Sequence, residues 1–289
     1  MLARAPARYV HRLGRPGQPA KTGLERLSMI DFHNHLLPAV DDGAATIDES
    51  RAALVAMRDQ GVRTVVVTPH LQGSTTERPD ALGEALAPID RGFEEFSRMV
   101  AEEFPDVQIE RGVELMLDSP SPDLTDPRLR LARTNFVLVE FPGMAIPPHS
   151  VQALYRLRLQ GWWPIVAHPE RYRNLDSVEI IEEWRSVGAH LQVNAGSVVG
   201  RYGTRAGELA WELLGNGSAD YLCSDYHARG RLAIEECRAA FQESGGQESF
   251  NRLTVENPAR MLRGEEPLPT TRVQRRRSLW RFFRRSRPR

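Results

Sequence analysis

From Met29 onward, seven short apolar runs alternate with longer amphipathic stretches. The runs are MIDF, VRTVVVT from Val62, VQIERGVEL from Val107, NFVLVEF from Asn135, WPIVAH from Trp163, AHLQVN from Ala189 and ADYLCSD from Ala219. They are short, mostly uninterrupted by polar residues and rich in β-branched residues, which is the pattern of parallel strands buried on both faces. Between the first two lies TIDESRAALVAMRDQG, where Thr46 reads as an N-cap with Glu49 three residues later and Gly61 as the stop. Further helices are expected over about residues 79–103, 149–160, 177–187, 204–214 and 231–243. Seven strands alternating with helices predict an α/β fold, a distorted seven-stranded (β/α) TIM-like barrel. Right-handed crossovers would then bring every strand C-terminus to one face.

Composition narrows the setting. A 289-residue chain that is 41% hydrophobic can bury one large α/β core. Cys223 and Cys237 are too few for a disulfide framework and form no CxxC pair, which fits a reducing cytoplasm. No apolar run approaches the roughly 20 residues needed to cross a bilayer. The formal net charge is zero, but only by cancellation between regions. Residues 1–28 carry six Lys/Arg and one acid, and residues 272–289 carry nine Arg and no acid. The stretch between holds 23 bases and 37 acids, a net charge of −14. So acidic a body is not expected to bind nucleic acid, because that affinity rests on neutralising phosphates with bases. An anionic substrate would need metal ions or a local arginine.

In such a barrel, functional side chains belong at the C-terminal ends of the strands. Metal-type residues recur there: His33 and His35 after the first run, His70 after the second, Glu114 in the third, Glu140 in the fourth, and His168 after the fifth. Asn194 closes the sixth run, and Asp225 with His227 the seventh. Asp41 and Asp42 follow the first pair in HNHLLPAVDDG. Five of the eight histidines fall in this set, leaving His11, His149 and His190 as expected surface residues. A hydrogen-bonded core histidine would explain any one of these positions but not their recurrence. Imidazoles mixed with carboxylates and no thiolate suit Mn²⁺, Fe²⁺ or Zn²⁺. About nine ligands suffice for three ions, with a carboxylate such as Glu114 placed to bridge two. A cluster of this kind acidifies bound water and grips phosphate oxygens, so hydrolysis of a phosphoester is the expected chemistry.

HNHLLPAVDDG, TPH, GVE, VEFP, AHPERY, VNAGSVVGRYG, SDYH and ENPARML, in this order, resemble the polymerase-and-histidinol-phosphatase (PHP) superfamily. Within it the chain is similar to the bacterial manganese-dependent protein-tyrosine phosphatases encoded with capsule and exopolysaccharide genes. The resemblance spans about residues 29–262. It implies a first ion on His33, His35, Glu114 and Asp225, a second on Glu114, Glu140 and His168, and a third on Asp42, His70 and His227. Asp41 is the alternative to Asp42, and Asp31 would orient an imidazole from behind. Arg171 would bind the substrate phosphate, and His227 is a candidate proton donor. A second catalytic arginine is expected five residues beyond the last histidine, where this chain has Leu232; Arg231 and Arg229 are the neighbours that could serve. The implied substrate is a phosphotyrosine protein, a bacterial tyrosine kinase with a tyrosine-rich tail. Members of the superfamily also act as small-molecule phosphatases of the histidinol-phosphatase type or as non-catalytic modules.

A rival chemistry is present in CSDYHAR, where Cys223 and Arg229 have the C-x5-R spacing of cysteine-based tyrosine phosphatases. That loop must offer a nest of backbone N–H groups to a dianion, which favours glycine and excludes a carboxylate. Asp225 stands inside this loop and glycine does not. Outside the expected phosphatase domain, 29–268, lie a basic extension (1–28) and an arginine- and aromatic-rich tail (269–289). Leu279, Trp280, Phe282 and Phe283 are interleaved with arginines in the tail, a pattern suited to an anionic membrane surface. The expected location is therefore the cytoplasm, with peripheral attachment to the inner face of the membrane.

Overall fold

The computed structural model describes residues 28–175 and 178–276. The expectations for residues 1–27 and for the aromatic part of the tail lie outside them. Strands β1 (Met29–Asp31), β2 (Val62–Val67), β3 (His70–Gln72), β4 (Gln108–Arg111), β5 (Glu114–Met116), β6 (Phe136–Glu140), β7 (Trp163–Ala167), β8 (His190–Asn194) and β9 (Tyr221–Cys223) are joined by parallel pairing throughout. Helices α1 (Ile47–Asp59), α2 (Pro79–Glu103), α3 (Ser150–Leu159), α4 (Glu179–Ser186), α5 (Ala195–Val198), α6 (Thr204–Asn216), α7 (Ile234–Glu243), α8 (Gln247–Asn251) and α9 (Asn257–Leu262) lie between and after them.

The expected barrel is found as a mixed α/β fold with two parallel sheets, ordered β1-β2-β4 and β3-β5-β6-β7-β8-β9. No sheet closes on itself among the described residues. The third of the seven expected strands is interrupted, and the second is followed by a further short strand that the pattern did not predict. Pro69 has no N–H to give a ladder, and it separates β2 from β3. Gly112 parts β4 from β5, where a Cβ would lie 2.9 Å from Leu131 Cδ2. Hydrogen bonds from Gly112 N to Val67 O and from Glu114 N to Pro69 O carry the pairing across both breaks.

The apolar interior divides in two. The larger cluster includes Leu54, Phe96 and Trp184 from the helices and Val65, Val67, Val137 and Val139 from the strands. The smaller one takes the alternate strand residues Val66, Phe136, Leu138, Ile165, Ala167, Tyr221 and Cys223, with Phe32 and Met261, and no residue of α1–α4, α6 or α7. Side chains along a strand alternate faces. Phe136 and Leu138 are therefore followed on the same face by Glu140, the last residue of β6, whereas Asp225 lies two residues beyond the end of β9.

The Thr46 cap of α1 forms as expected, while the Glu49 half of the box closes one residue before the N-cap. Thr46 Oγ1 accepts from Glu49 N at 3.2 Å, and Glu49 Oε2 reaches back to Ala45 N at 2.7 Å. Beyond α9 the chain continues across the body. Leu268 N donates to Asn257 Oδ1 at 2.8 Å, Thr270 Oγ1 donates to Ala219 O at 2.9 Å, and Val273 N bonds Leu214 O at 3.1 Å. Val273 is buried against Gly246, where a Cβ would sit 2.6 Å from its Cγ1. This strip crosses at the start of β9, opposite the strand C-termini.

Candidate metal centre

The strand-end residues come together around Glu114. Its Oε2 lies 3.2 Å from His33 Nε2, 3.3 Å from His35 Nε2 and 3.2 Å from His70 Nδ1, and its Oε1 lies 3.1 Å from His168 Nε2. Asp225 Oδ1 is 3.4 Å from both His33 Nε2 and His35 Nε2. Four groups place their ligand atoms within 4.8 Å of one another: His33, His35 and Asp225; His33, Glu114 and His168; His70, Glu114 and Glu140; and His35, Asp42, His70 and His227. The nine residues expected as ligands are all in this set. The grouping differs in detail from the one the resemblance implies: Glu140 stands with His70, His168 with His33, and His35 joins the Asp42 group.

The atoms that would bind are those that lack hydrogen bonds. His33 Nε2, His35 Nε2, His70 Nδ1, Glu114 Oε2 and Asp225 Oδ1 are buried without a hydrogen-bond partner. Leaving buried polar atoms unsatisfied is costly, and leaving buried charge unpaired costs more. Burial by itself would push the His33 imidazole pKa down, yet Glu114 and Asp225 outweigh it and raise the group to about 9. Burial would raise Glu114, and the facing His33 and His168 hold it well below the usual carboxylate range instead. The centre thus demands positive charge, supplied by protons if by nothing else. Divalent cations at these nitrogen and oxygen donors satisfy the same demand.

Partners behind the ligands fix their orientation. His33 Nδ1 lies 2.7 Å from Gln192 Oε1, and His35 Nδ1 lies 2.7 Å from Asp41 Oδ2, so each ring has its Nε2 turned inward. Asp41 also accepts from His70 N at 3.2 Å and Gly43 N at 3.0 Å, which ties down the loop that carries Asp42. Asp31, expected to orient an imidazole, instead organises backbone: it accepts from His33 N at 3.2 Å and from Ser224 N at 2.8 Å. Gln192 had no signal in sequence, since nothing local marks a glutamine 159 positions from the ring it holds. Two ligands leave the ordinary backbone region, His168 at φ 33° and Asp225 at φ 50°. Left-handed residues other than glycine are uncommon and gather at functional sites.

Arg171 stands beside the centre. Its Nη1 donates to Asp225 Oδ2, which also accepts from Asn194 Nδ2 at 2.9 Å, so Asp225 turns one oxygen to the histidines and the other to Arg171. Arg231 is exposed and pairs with Glu236 at 3.1 Å, whereas Arg229 Nη2 donates to Gly43 O at 3.2 Å. Arg171, Arg229 and Arg231 line one cleft of about 430 Å³ with Asp225 and His227. His149 is exposed as expected, but His190 is not a surface residue: it begins β8 among Phe136, Trp163 and Tyr221, where burial pushes its imidazole down to about 4.

Cys223 is 2% exposed within the smaller apolar cluster, and burial pushes its thiol pKa well above the ordinary value. It cannot supply the thiolate of the rival mechanism. Cys223→Ser is expected to leave turnover per bound metal unchanged and to destabilise the protein by roughly 1–3 kcal/mol through a buried hydroxyl. Thermal unfolding beside metal-normalised kinetics checks this, and loss of turnover with metal and fold intact would restore the thiolate.

Comparison with known proteins adds a family to this geometry. Residues 29–263 match the family model described as "Capsular polysaccharide synthesis, CpsB/CapC". The tyrosine-protein phosphatase YwqE of Bacillus subtilis is 31% identical over 88% of this chain and 100% of its own length. The tyrosine-protein phosphatase CpsB of Streptococcus agalactiae is 28% identical over 81% and 98%. Among solved structures, one from a study of YwqE of Bacillus subtilis and CpsB of Streptococcus pneumoniae, described as unique metal-dependent tyrosine phosphatases, superposes with a TM-score of 0.72. The match is 28% identical and covers 86% of this chain and 100% of that one. A family model that spans most of the chain, with full-length relatives on both sequence and structure, places the chain in the CpsB/CapC family.

Proposed function

We propose that the chain is a metal-dependent protein-tyrosine phosphatase. The observation that carries this reading is the buried centre, where unpartnered imidazole and carboxylate atoms converge beside an arginine that faces a cleft. The family and its named phosphatases supply the phosphotyrosine substrate class. Divalent ions, when bound, would stabilise charge on phosphoryl oxygens and acidify water. His33, His35, Asp42, His70, Glu114, Glu140, His168, Asp225 and His227 would hold them. The four overlapping groups support up to three ions, and the all-nitrogen-and-oxygen donor set supports Mn²⁺, with Fe²⁺ or Zn²⁺ as alternatives.

The chain's own groups divide the remaining work. Arg171 would bind the phosphate and offset charge that develops on it. Arg231 or Arg229 would reach the same anion from across the cleft. His227 Nδ1 lies 3.0 Å from the carbonyl of Asp225, which directs Nε2 toward Asp42 and favours a ligand over a proton donor. A tyrosine phenolate, with a pKa near 10, leaves with little proton assistance. Steady-state kinetics on a phosphotyrosine peptide beside histidinol phosphate tests the reading. A higher kcat/KM on histidinol phosphate would assign the small-molecule class instead.

Three finer readings belong with this one. The two sheets form one distorted seven-strand barrel: β2 runs on into β3, β4 into β5, and an isolated parallel bridge from Asn34 to Tyr226 joins the first strand to the last. The protein substrate is a bacterial tyrosine kinase that regulates capsule or exopolysaccharide synthesis, a role suggested by the family's description. The arginine-rich tail attaches a cytoplasmic enzyme to anionic membrane, and no helix of the described residues is long and apolar enough to cross one. The packed strip ends at Arg276, whose N bonds Ser244 Oγ after α7, at the end of the fold away from the metal centre. A tail attached to a membrane there would leave the cleft facing outward. Truncation after Arg276, which spares buried Val273, is expected to leave turnover of a soluble phosphopeptide unchanged and to remove salt-sensitive binding to anionic vesicles. Full-length protein that ignores such vesicles at low salt would refute the attachment.

A further inference from the structure

Four large hydrophobic side chains are exposed among the described residues. Val55 lies on α1, and Tyr155 and Leu159 on α3, but Tyr202, 42% exposed, lines the catalytic cleft. The chain is built to put it there. Gly200 at φ 80° and Gly203 at φ 92° bracket the Arg201–Tyr202 turn with backbone that other residues rarely adopt. Gly196 makes the seat: a Cβ there would lie 2.7 Å from Tyr202 Cε2 and 3.4 Å from Cδ2, so only a bare α-carbon admits that edge of the ring. Over the ring stands the guanidinium of Arg171, with Cζ 4.2 Å from the centroid. The rest of the ring opens to the cleft, which Tyr226 also lines.

The arrangement couples an apolar surface to an anion site. Arg171 contacts both the Tyr202 face and Asp225 of the metal centre, so the ring stands beside the position proposed for the phosphate. A ligand with a phosphate joined to a flat apolar ring would meet both at once; a phosphate on a short alkyl group would meet only the anion site. Aromatic rings prefer offset or edge-to-face contact with one another, and a partly exposed, immobilised ring provides such a surface with little entropy left to lose.

We propose that Tyr202 is a specificity-determining residue whose ring, seated on Gly196 and held by Arg171, selects aryl over alkyl phosphates by packing against the substrate's phenyl ring. This rests on the phosphatase reading for its substrate class, phosphotyrosine. The contribution belongs to the ring and not the hydroxyl, so Tyr202→Phe retains it and Tyr202→Leu removes it.

The test measures binding by calorimetry to the metal-loaded protein, using phenylphosphonate and methylphosphonate, which are not hydrolysed. Wild type is expected to prefer the phenyl compound by roughly three- to tenfold, the range an aromatic pair contributes beyond its buried area. Tyr202→Phe should keep that ratio, and Tyr202→Leu should reduce it to about twofold or less while raising KM for a phosphotyrosine peptide more than it lowers kcat. A wild type without preference overturns the proposal. So does a leucine variant that weakens both ligands equally, because Tyr202 would then only brace Arg171, and so does a phenylalanine variant that loses the preference. Phenyl preference without hydrolysis of any phosphotyrosine peptide would sink the phosphatase reading alone, and hydrolysis without preference would sink this proposal alone.

Discussion

Glu114→Gln is expected to strip the protein of bound metal and to abolish phosphatase activity. The exchange conserves shape, so packing does not account for the outcome. It replaces a carboxylate that faces four imidazoles, those of His33, His35 and His70 at Oε2 and that of His168 at Oε1, with an amide whose nitrogen cannot bind a cation. Two of the four ligand groups contain Glu114, so its loss affects more than one ion position. Removing a single preorganised donor from a transition state costs roughly 10²–10³ in rate, and loss of a shared ligand should exceed that. Chelation of the wild-type protein should produce the same loss, and Mn²⁺ should reverse it there but not in the variant. Metal content by mass spectrometry and kcat/KM on a phosphotyrosine peptide measure the two effects separately. A glutamine variant with full metal content and activity within tenfold of wild type would remove Glu114 from the centre.

How much of this was legible in the sequence depends on how local each cause is. The cap of α1 needs only Thr46 and Glu49, three residues apart, and forms where the pattern puts it. Glu140 continues a two-residue period set by Phe136 and Leu138 within β6, so strand geometry alone carries it to the ligand face; Asp225 stands two residues beyond the end of β9 with a left-handed backbone of its own, so alternation alone does not place it. His168 follows Ile165 and Ala167 out of that period, and its left-handed backbone re-aims it; no alternation pattern encodes this. The strand break at Pro69 is as local as the cap, a missing N–H, whereas that at Gly112 depends on what packs alongside, Leu131. Gln192 behind His33 and Asp31 beneath the Ser224 N–H are partners brought together only on folding, whereas Asp41 behind His35 lies six residues away in the same loop. Arg231 and Arg229 both line the cleft, and what separates them is their partners, Glu236 for Arg231 and the carbonyl of Gly43 for Arg229, neither of which is marked in the local sequence. The strip through Val273 carries a tail-like composition, and its burial is decided by the missing side chain at Gly246.

Arg171→Ala is expected to lower kcat/KM by roughly 10² or more, the scale of one preorganised charge donor, while the protein keeps its metal. Two features predict that separation. Asp225 Oδ2 accepts from Asn194 Nδ2 as well as from Arg171, so the carboxylate stays oriented when the guanidinium is gone. The oxygen turned toward His33 and His35 is the other one, Oδ1, which Arg171 does not touch. What the variant loses is a cation at the cleft side of an otherwise carboxylate-rich centre, where a phosphate dianion would have to bind. Arg171→Lys restores the charge but neither the planar fork nor its stacking on Tyr202, so it should recover only part of the rate. Kinetics with metal content measured on the same preparations decides the matter. Metal lost in proportion to activity would show that Arg171 acts by holding Asp225, and that the phosphate is bound by another group.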